Sequence, residues 1–127
     1  MDLVERVEEA LRSEECVILA VLHGSILETL EPRDIDVAVY LDPRCKPEKL
    51  LDVIGAVEES SGLPADVQLL NDAPPYFTLR VLRDGVVLVE KKPGLTTRLY
   101  LRALDEQEFT RIMQERRRAE RPAARIA

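Results

Sequence analysis

Leu3, Val4, Val7, Ala10 and Leu11 recur at helical spacing among acids and arginines, which predicts an amphipathic helix over residues 2–14. Cys16 to Leu22 is instead a nearly continuous apolar run, the pattern of a strand buried on both faces. His23-Gly24-Ser25 breaks that run, and Ser25 is suited to cap a short helical turn. A loop from Glu28 to Arg33, with Pro32 in it, leads into a second predicted strand, Asp34 to Leu41. Pro43 ends that strand. Pro47 to Ser60 reads as a second helix whose apolar side is Leu50, Leu51, Val53, Ile54 and Val57, and Gly62-Leu63-Pro64 is a suitable stop. Asp66 to Leu70 follows as a third strand. Pro74-Pro75 opens a helix carrying Phe77, Leu79, Val81 and Leu82, Asp84-Gly85 turns the chain, and Val86 to Glu90 returns as a fourth strand. Leu95 to about Arg118 should be a long final helix. The order is α-β-α-β-α-β-α-β-α without repeats or linkers, so an α/β fold in a single domain over residues 1–127 is expected.

Composition narrows the classes. A chain of 127 residues is long enough for a real core without disulfide staples. Cys16 and Cys45 form no Cys-x-x-Cys pair, so they are expected to be small buried thiols, reduced, in an intracellular, cytoplasmic protein, and not zinc ligands. The first residues carry Asp2 and Glu5 and no basic stretch followed by an apolar block, so no secretory leader is expected. The apolar run at Cys16 to Leu22 is too short to span a bilayer, which takes about 20 residues. A net charge of -6 opposes direct, non-specific binding to nucleic acid. From Arg111 onward the charge reverses, with six arginines against Glu115 and Glu120. That stretch, ending in a basic tail at about 116–127, reads as a solvated helix end, with a docking arm for an acidic partner as the sharper alternative. Arginines outnumber lysines and Asn71 is the only asparagine, a composition seen in thermophilic proteins.

The candidate chemistry lies in acids. Asp34 and Asp36 flank Ile35 at the start of the second strand, and period-two alternation aims both at one face. Two anions held side by side repel unless a cation lies between them, and a hard divalent ion such as Mg²⁺ suits oxygen ligands. Asp66, leading the next strand, is placed to join them. Gly24 and Ser25 add backbone N–H groups at a turn, where glycine admits close approach of a phosphate. Metal-assisted phosphoryl or nucleotidyl transfer uses two ions about 3.5–4 Å apart, one at the attacking hydroxyl and one at the leaving pyrophosphate. Asp34, Asp36 and Asp66 are therefore the expected catalytic and metal-binding residues, with Gly24 and Ser25 binding nucleotide.

With these residues in place the chain resembles the minimal nucleotidyltransferase (MNT) family of the DNA polymerase beta superfamily. His23-Gly24-Ser25 and Asp34-Ile35-Asp36-Val37 match its signature, Asp66-Val67-Gln68-Leu69-Leu70-Asn71 is similar to its third-carboxylate strand, and Pro74 to Leu88 resembles the helix, turn and strand that follow. The resemblance implies a nucleotidyltransferase fold (α+β), a small mixed β-sheet flanked by helices with a long C-terminal helix. It also implies ATP as substrate, two Mg²⁺ ions, and a role as antitoxin to an all-helical HEPN toxin. That toxin would be silenced by transfer of AMP to one of its tyrosines, or by a tight complex with a catalytically impaired module. A small-molecule nucleotidyltransferase is a third reading, disfavoured by the lack of room for an acceptor domain. This chain departs from the family at three points. Eight residues separate Ser25 from Asp34, fewer than usual; Ile26-Leu27-Glu28 stands where an arginine is common; and Arg33 replaces the serine before the acidic pair.

Other side chains carry bland expectations. His23, the only histidine, is expected to pack, although it stands where it could contact phosphate. Arg80 and Arg83 should lie on an exposed helix face, with the triphosphate within their reach as the alternative. Tyr76 and Phe77 offer rings for a base, but Phe77 is expected in the core, and Tyr40 and Tyr100 offer nothing beyond packing.

Overall fold

The computed structural model describes residues 1–120, in which every element anticipated from the pattern forms. They run α1 (Leu3–Ser13), β1 (Val17–His23), a 3-10 turn (Gly24–Leu27), β2 (Ile35–Leu41), α2 (Lys49–Ser61), β3 (Ala65–Leu69), α3 (Pro75–Asp84), β4 (Val86–Glu90) and α4 (Leu95–Ala119). The sheet order is β3-β2-β1-β4. β1 pairs antiparallel with both β2 and β4, while β2 and β3 are parallel, so the sheet is mixed as expected.

Alternation along β2 sorts the core. Ile35, Val37, Val39 and Leu41 face one layer, against Val7 and Leu11 of α1 and Val53 and Val57 of α2. Ala38 and Tyr40 face the other, with Val81 of α3 and Leu95 and Leu99 of α4. Helices therefore cover both faces of the sheet. Each fully buried Val or Leu in these layers contributes about 1.5–3 kcal/mol of burial, so the two-sided cover is what makes so small a sheet stable. The register slips between Val17 and Leu19, which leaves Ile18 and Leu19 on the same side and explains why β1 reads as continuous apolar sequence.

Among the helices one detail corrects the sequence reading, at α2, and the last helix runs as expected. α2 begins at Lys49 and turns Leu51 outward, 70% exposed, because Val53 and Val57 fix its inner face. α4 buries only Leu95, Leu99 and Ala103, and from Leu104 to Glu120 every residue is exposed. Part of the expected basic tail, residues 116–119, is thus helix, and residues 121–127 lie outside the described residues.

Cys16 and Cys45 are not free thiols: they are joined in a disulfide, with their Cα atoms 6.1 Å apart. β1 and β2 place Val17 opposite Leu41, so the residues just beyond those strand ends converge. The loop after β2 completes the approach: Asp42 N–H donates to Cys16 O and Cys45 N–H to Asp42 O. Arg44, hydrogen-bonded to the Asp42 side chain, holds that carboxyl at about 2.

Gly85, between α3 and β4, is fixed by close approach. A Cβ there would lie 2.6 Å from Val21 Cγ1 and Val81 O and 2.9 Å from Leu22 O. Two of those atoms are backbone and cannot swing aside, so Gly85→Ala should destabilise the fold by about 2–3 kcal/mol. Urea unfolding followed by circular dichroism measures this, and a midpoint equal to the parent's would refute the packing argument.

Candidate functional site

Because Ile35, Val37 and Val39 face α1 and α2, Asp36 must face the α3 side of the sheet. The same alternation in β3 sends Val67 and Leu69 one way and Asp66 and Gln68 the other, and in β1 it sets His23 opposite to Leu22. Pairing then aligns them. Antiparallel β1–β2 register places His23 across from Asp36, and parallel β2–β3 register places Asp36 beside Asp66. Four chemically active side chains thus share one end of one sheet face.

Phe77, Arg80, Val81 and Asp84 of α3 wall this end, and Gly24, Leu27 and Glu28 close it from the 3-10 turn, around a cleft of about 590 Å³. Gly24 has φ +82°, and any Cβ there would overlap Asp36 Oδ2. Glycine is required at this position both by its backbone conformation and by the carboxylate against it. Ile26 packs on the core below the turn, while Leu27, 42% exposed, stands in the cleft wall.

Of the five residues singled out in the sequence, Gly24, Asp36 and Asp66 line the cleft. Ser25 and Asp34 are exposed and outside its lining, joined by a long hydrogen bond from Ser25 Oγ to Asp34 Oδ1 of 3.5 Å. Asp34 precedes the first residue of β2, so the strand pairing that orients Asp36 does not reach it. The adjacent acids here are Asp36 and Asp66, across two strands.

One wall is a chain of ring contacts. His23 Nε2–H donates to Gln68 Oε1 at 2.8 Å, the imidazole meets Phe77 edge-on at 5.9 Å, and the Arg80 guanidinium lies over the Phe77 ring at 5.4 Å. Phe77 is accordingly half-buried, packed on the second core layer as expected and walling the cleft as well. Arg83 instead pairs with Asp84, whose carboxyl is held below its usual range by that hydrogen bond. The structure thus separates the two arginines that the sequence treats alike. Sequence reasoning missed Glu28, Gln68 and Asp84; Gln68, two residues after Asp66 on the same strand face, was within reach of the alternation rule.

The lining holds Glu28, Asp36, Asp66 and Asp84 against Arg80 alone. Such a cleft repels a bare polyphosphate and favours one carrying a cation. Among the described residues, no three His, Cys, Asp or Glu side chains gather closely enough to hold a metal ion. Asp36 and Asp66 still fit a Mg²⁺ ion in kind and number, since that ion is commonly held by one or two carboxylates with the remaining ligands from water and phosphate.

Three solved structures share this architecture. A toxin–antitoxin with AMP-PNP superposes with a TM-score of 0.72 at 16% identity, over 88% of this chain and 92% of that one. The toxin–antitoxin MntA–HepT gives 0.68 at 14% identity over 89% and 91%. The tri-AMPylated Shewanella oneidensis HEPN toxin in complex with MNT antitoxin gives 0.70 at 15% identity over 89% and 90%. At these identities the likeness is one of fold. No curated protein matches the sequence significantly. The sequence profile of the family described as polymerase beta, nucleotidyltransferase matches residues 5–94, the span that includes the whole cleft, and the chain belongs to that family.

Proposed function

We propose that this protein is an MNT-type antitoxin that transfers AMP from ATP to a tyrosine hydroxyl of a HEPN-type toxin, using Asp34, Asp36 and Asp66 as catalytic and metal-binding residues. The supporting observation is the Asp36–Asp66 pair set against Gly24 in one cleft. The likeness in fold to toxin–antitoxin complexes, one with AMP-PNP and one with an AMPylated toxin, supports the same nucleotide and partner. The chain is read as one minimal domain over residues 1–127.

Two divalent ions such as Mg²⁺, when bound at these carboxylates, supply neutralisation of the triphosphate and of the developing charge. The chain's own residues do the rest. Gly24 admits the phosphates close to the backbone, Ser25 steadies Asp34 at the mouth, and Asp36 stands at the centre. Asp66, exposed on the edge strand, accepts the proton of the incoming hydroxyl. That oxygen bonds to the α-phosphorus as the bond to the β-phosphate oxygen breaks, and pyrophosphate leaves.

Arg80 takes the place of the arginine missing after Gly24-Ser25, binding the phosphates from the α3 wall. Arg80→Ala should weaken ATP binding about tenfold, the worth of one charge-assisted hydrogen bond, and Arg80→Lys less. Titration with a fluorescent ATP analogue and Mg²⁺ reads this, and unchanged affinity would place Arg80 outside the phosphate site.

The function itself is tested by incubating the protein with α-labelled ATP, Mg²⁺ and the helical product of a neighbouring gene. Label on the partner is expected. Silencing of the partner without label would select the occlusion model, to which Leu27 in the cleft wall lends support.

A further inference from the structure

The outer half of α4 carries a surface that the cleft does not explain. At 100° per residue, Leu101, Asp105, Phe109, Ile112 and Arg116 fall on one stripe about 80° wide and about 23 Å long. The buried residues Leu95, Leu99 and Ala103 lie about 120° away around the helix, so the stripe points away from the core. Its apolar members are left in solvent: Leu101 is 54%, Phe109 65% and Ile112 43% exposed.

On the flanks, Arg102 pairs with Glu106, and Arg111 with Glu108 and Glu115. Asp105 and Arg116, on the stripe, make no ion pair among the described residues. From Asp105 to Arg116 the stripe is also self-complementary: turned end for end about a point between Thr110 and Arg111, Asp105 falls opposite Arg116 and Phe109 opposite Ile112. Two-fold symmetric contacts have this property, because each residue pair occurs twice. Over that stretch the spacings of four, three and four residues are those of a helix-pairing seam.

We propose that α4 pairs antiparallel with α4 of a second copy of this chain, burying Phe109 against Ile112 and joining Asp105 to Arg116 in two symmetry-related ion pairs. The face begins beyond residue 94, where the family match ends, and the pairing needs no assumption about catalysis. A single helix pair lies at the small end of specific interfaces, so the dimer is weak, with a Kd on the order of micromolar.

Sedimentation equilibrium of the full chain at roughly 1–100 µM tests it, with circular dichroism confirming that each variant is folded. The parent should dimerise across this range. Asp105→Arg and Arg116→Asp should each raise the Kd at least about tenfold by setting like charges face to face, and the double reversal should restore dimerisation because the pairs re-form with exchanged signs. Phe109→Ser should leave a monomer. A parent that stays monomeric, including one whose Phe109 is covered only by a partner of different sequence, overturns the proposal. So does a dimer indifferent to the single reversals, or one that the double reversal fails to restore.

Discussion

An Asp36→Asn variant is expected to transfer AMP about 10³-fold more slowly than the parent while folding at least as stably. A metal-binding carboxylate contributes several kcal/mol of charge stabilisation to a transferring phosphate, and about 4 kcal/mol corresponds to that factor. Asparagine keeps the volume, so packing beside His23 and Asp66 is retained. Stability moves the other way. Asp36 and Asp66 are register partners on adjacent strands, and like charges so placed destabilise a sheet by some tenths of a kcal/mol, up to about 1. Removing one charge relieves that repulsion. A loss of transfer accompanied by an equal or higher melting temperature marks a residue kept for chemistry at the expense of stability. The measurement pairs label transfer with thermal unfolding in the absence of nucleotide. Full activity in Asp36→Asn would refute the site, and a strongly lowered melting temperature would assign Asp36 a structural part instead.

Replacing both cysteines, as Cys16→Ser with Cys45→Ser, should lower stability by roughly 3.5 kcal/mol and the melting temperature by on the order of 10 °C. The bridge closes a loop with a sequence separation of 29, and chain entropy released on unfolding grows with that length. The enclosed segment holds all of β1 and β2, the two central strands, as well as Gly24, Asp34 and Asp36, so the cross-link constrains the unfolded chain around the cleft. The same drop should appear when the parent is melted with reductant, and reductant should leave the double variant unchanged. Alkylation of the unreduced protein checks the pairing: free thiols on both cysteines would contradict it.

How much of this was legible in the residues differs from element to element. α1 could be placed from period, because it buries one stripe and the pattern records it, while β2, covered on both faces, was read from its apolar and β-branched run and α3 from its Pro74-Pro75 start and Asp84-Gly85 stop. The mixed sheet came from resemblance to a family, whereas the long last helix was already placed from the residues themselves. Leu51 misled because an apolar residue in a helix does not reveal which side the sheet will claim. His23 and Phe77 pack as expected, Phe77 against the second core layer, but their packing against each other and Arg80 also builds the wall of the cleft, which no local pattern showed.

The sequence by itself determined the order of elements, the buried positions on each strand, and the three acids and one glycine around which the chemistry is proposed, since these follow from local periodicity and side-chain type. Tertiary structure alone decided which of them meet. Strand register set Asp36 beside Asp66 and left Asp34 with Ser25 outside the cleft lining, α3 brought in Arg80 and not Arg83, and the convergence of strand ends joined Cys16 to Cys45. The physical reason is that contacts between residues distant in the chain depend on how the sheet pairs and twists, which no local pattern encodes.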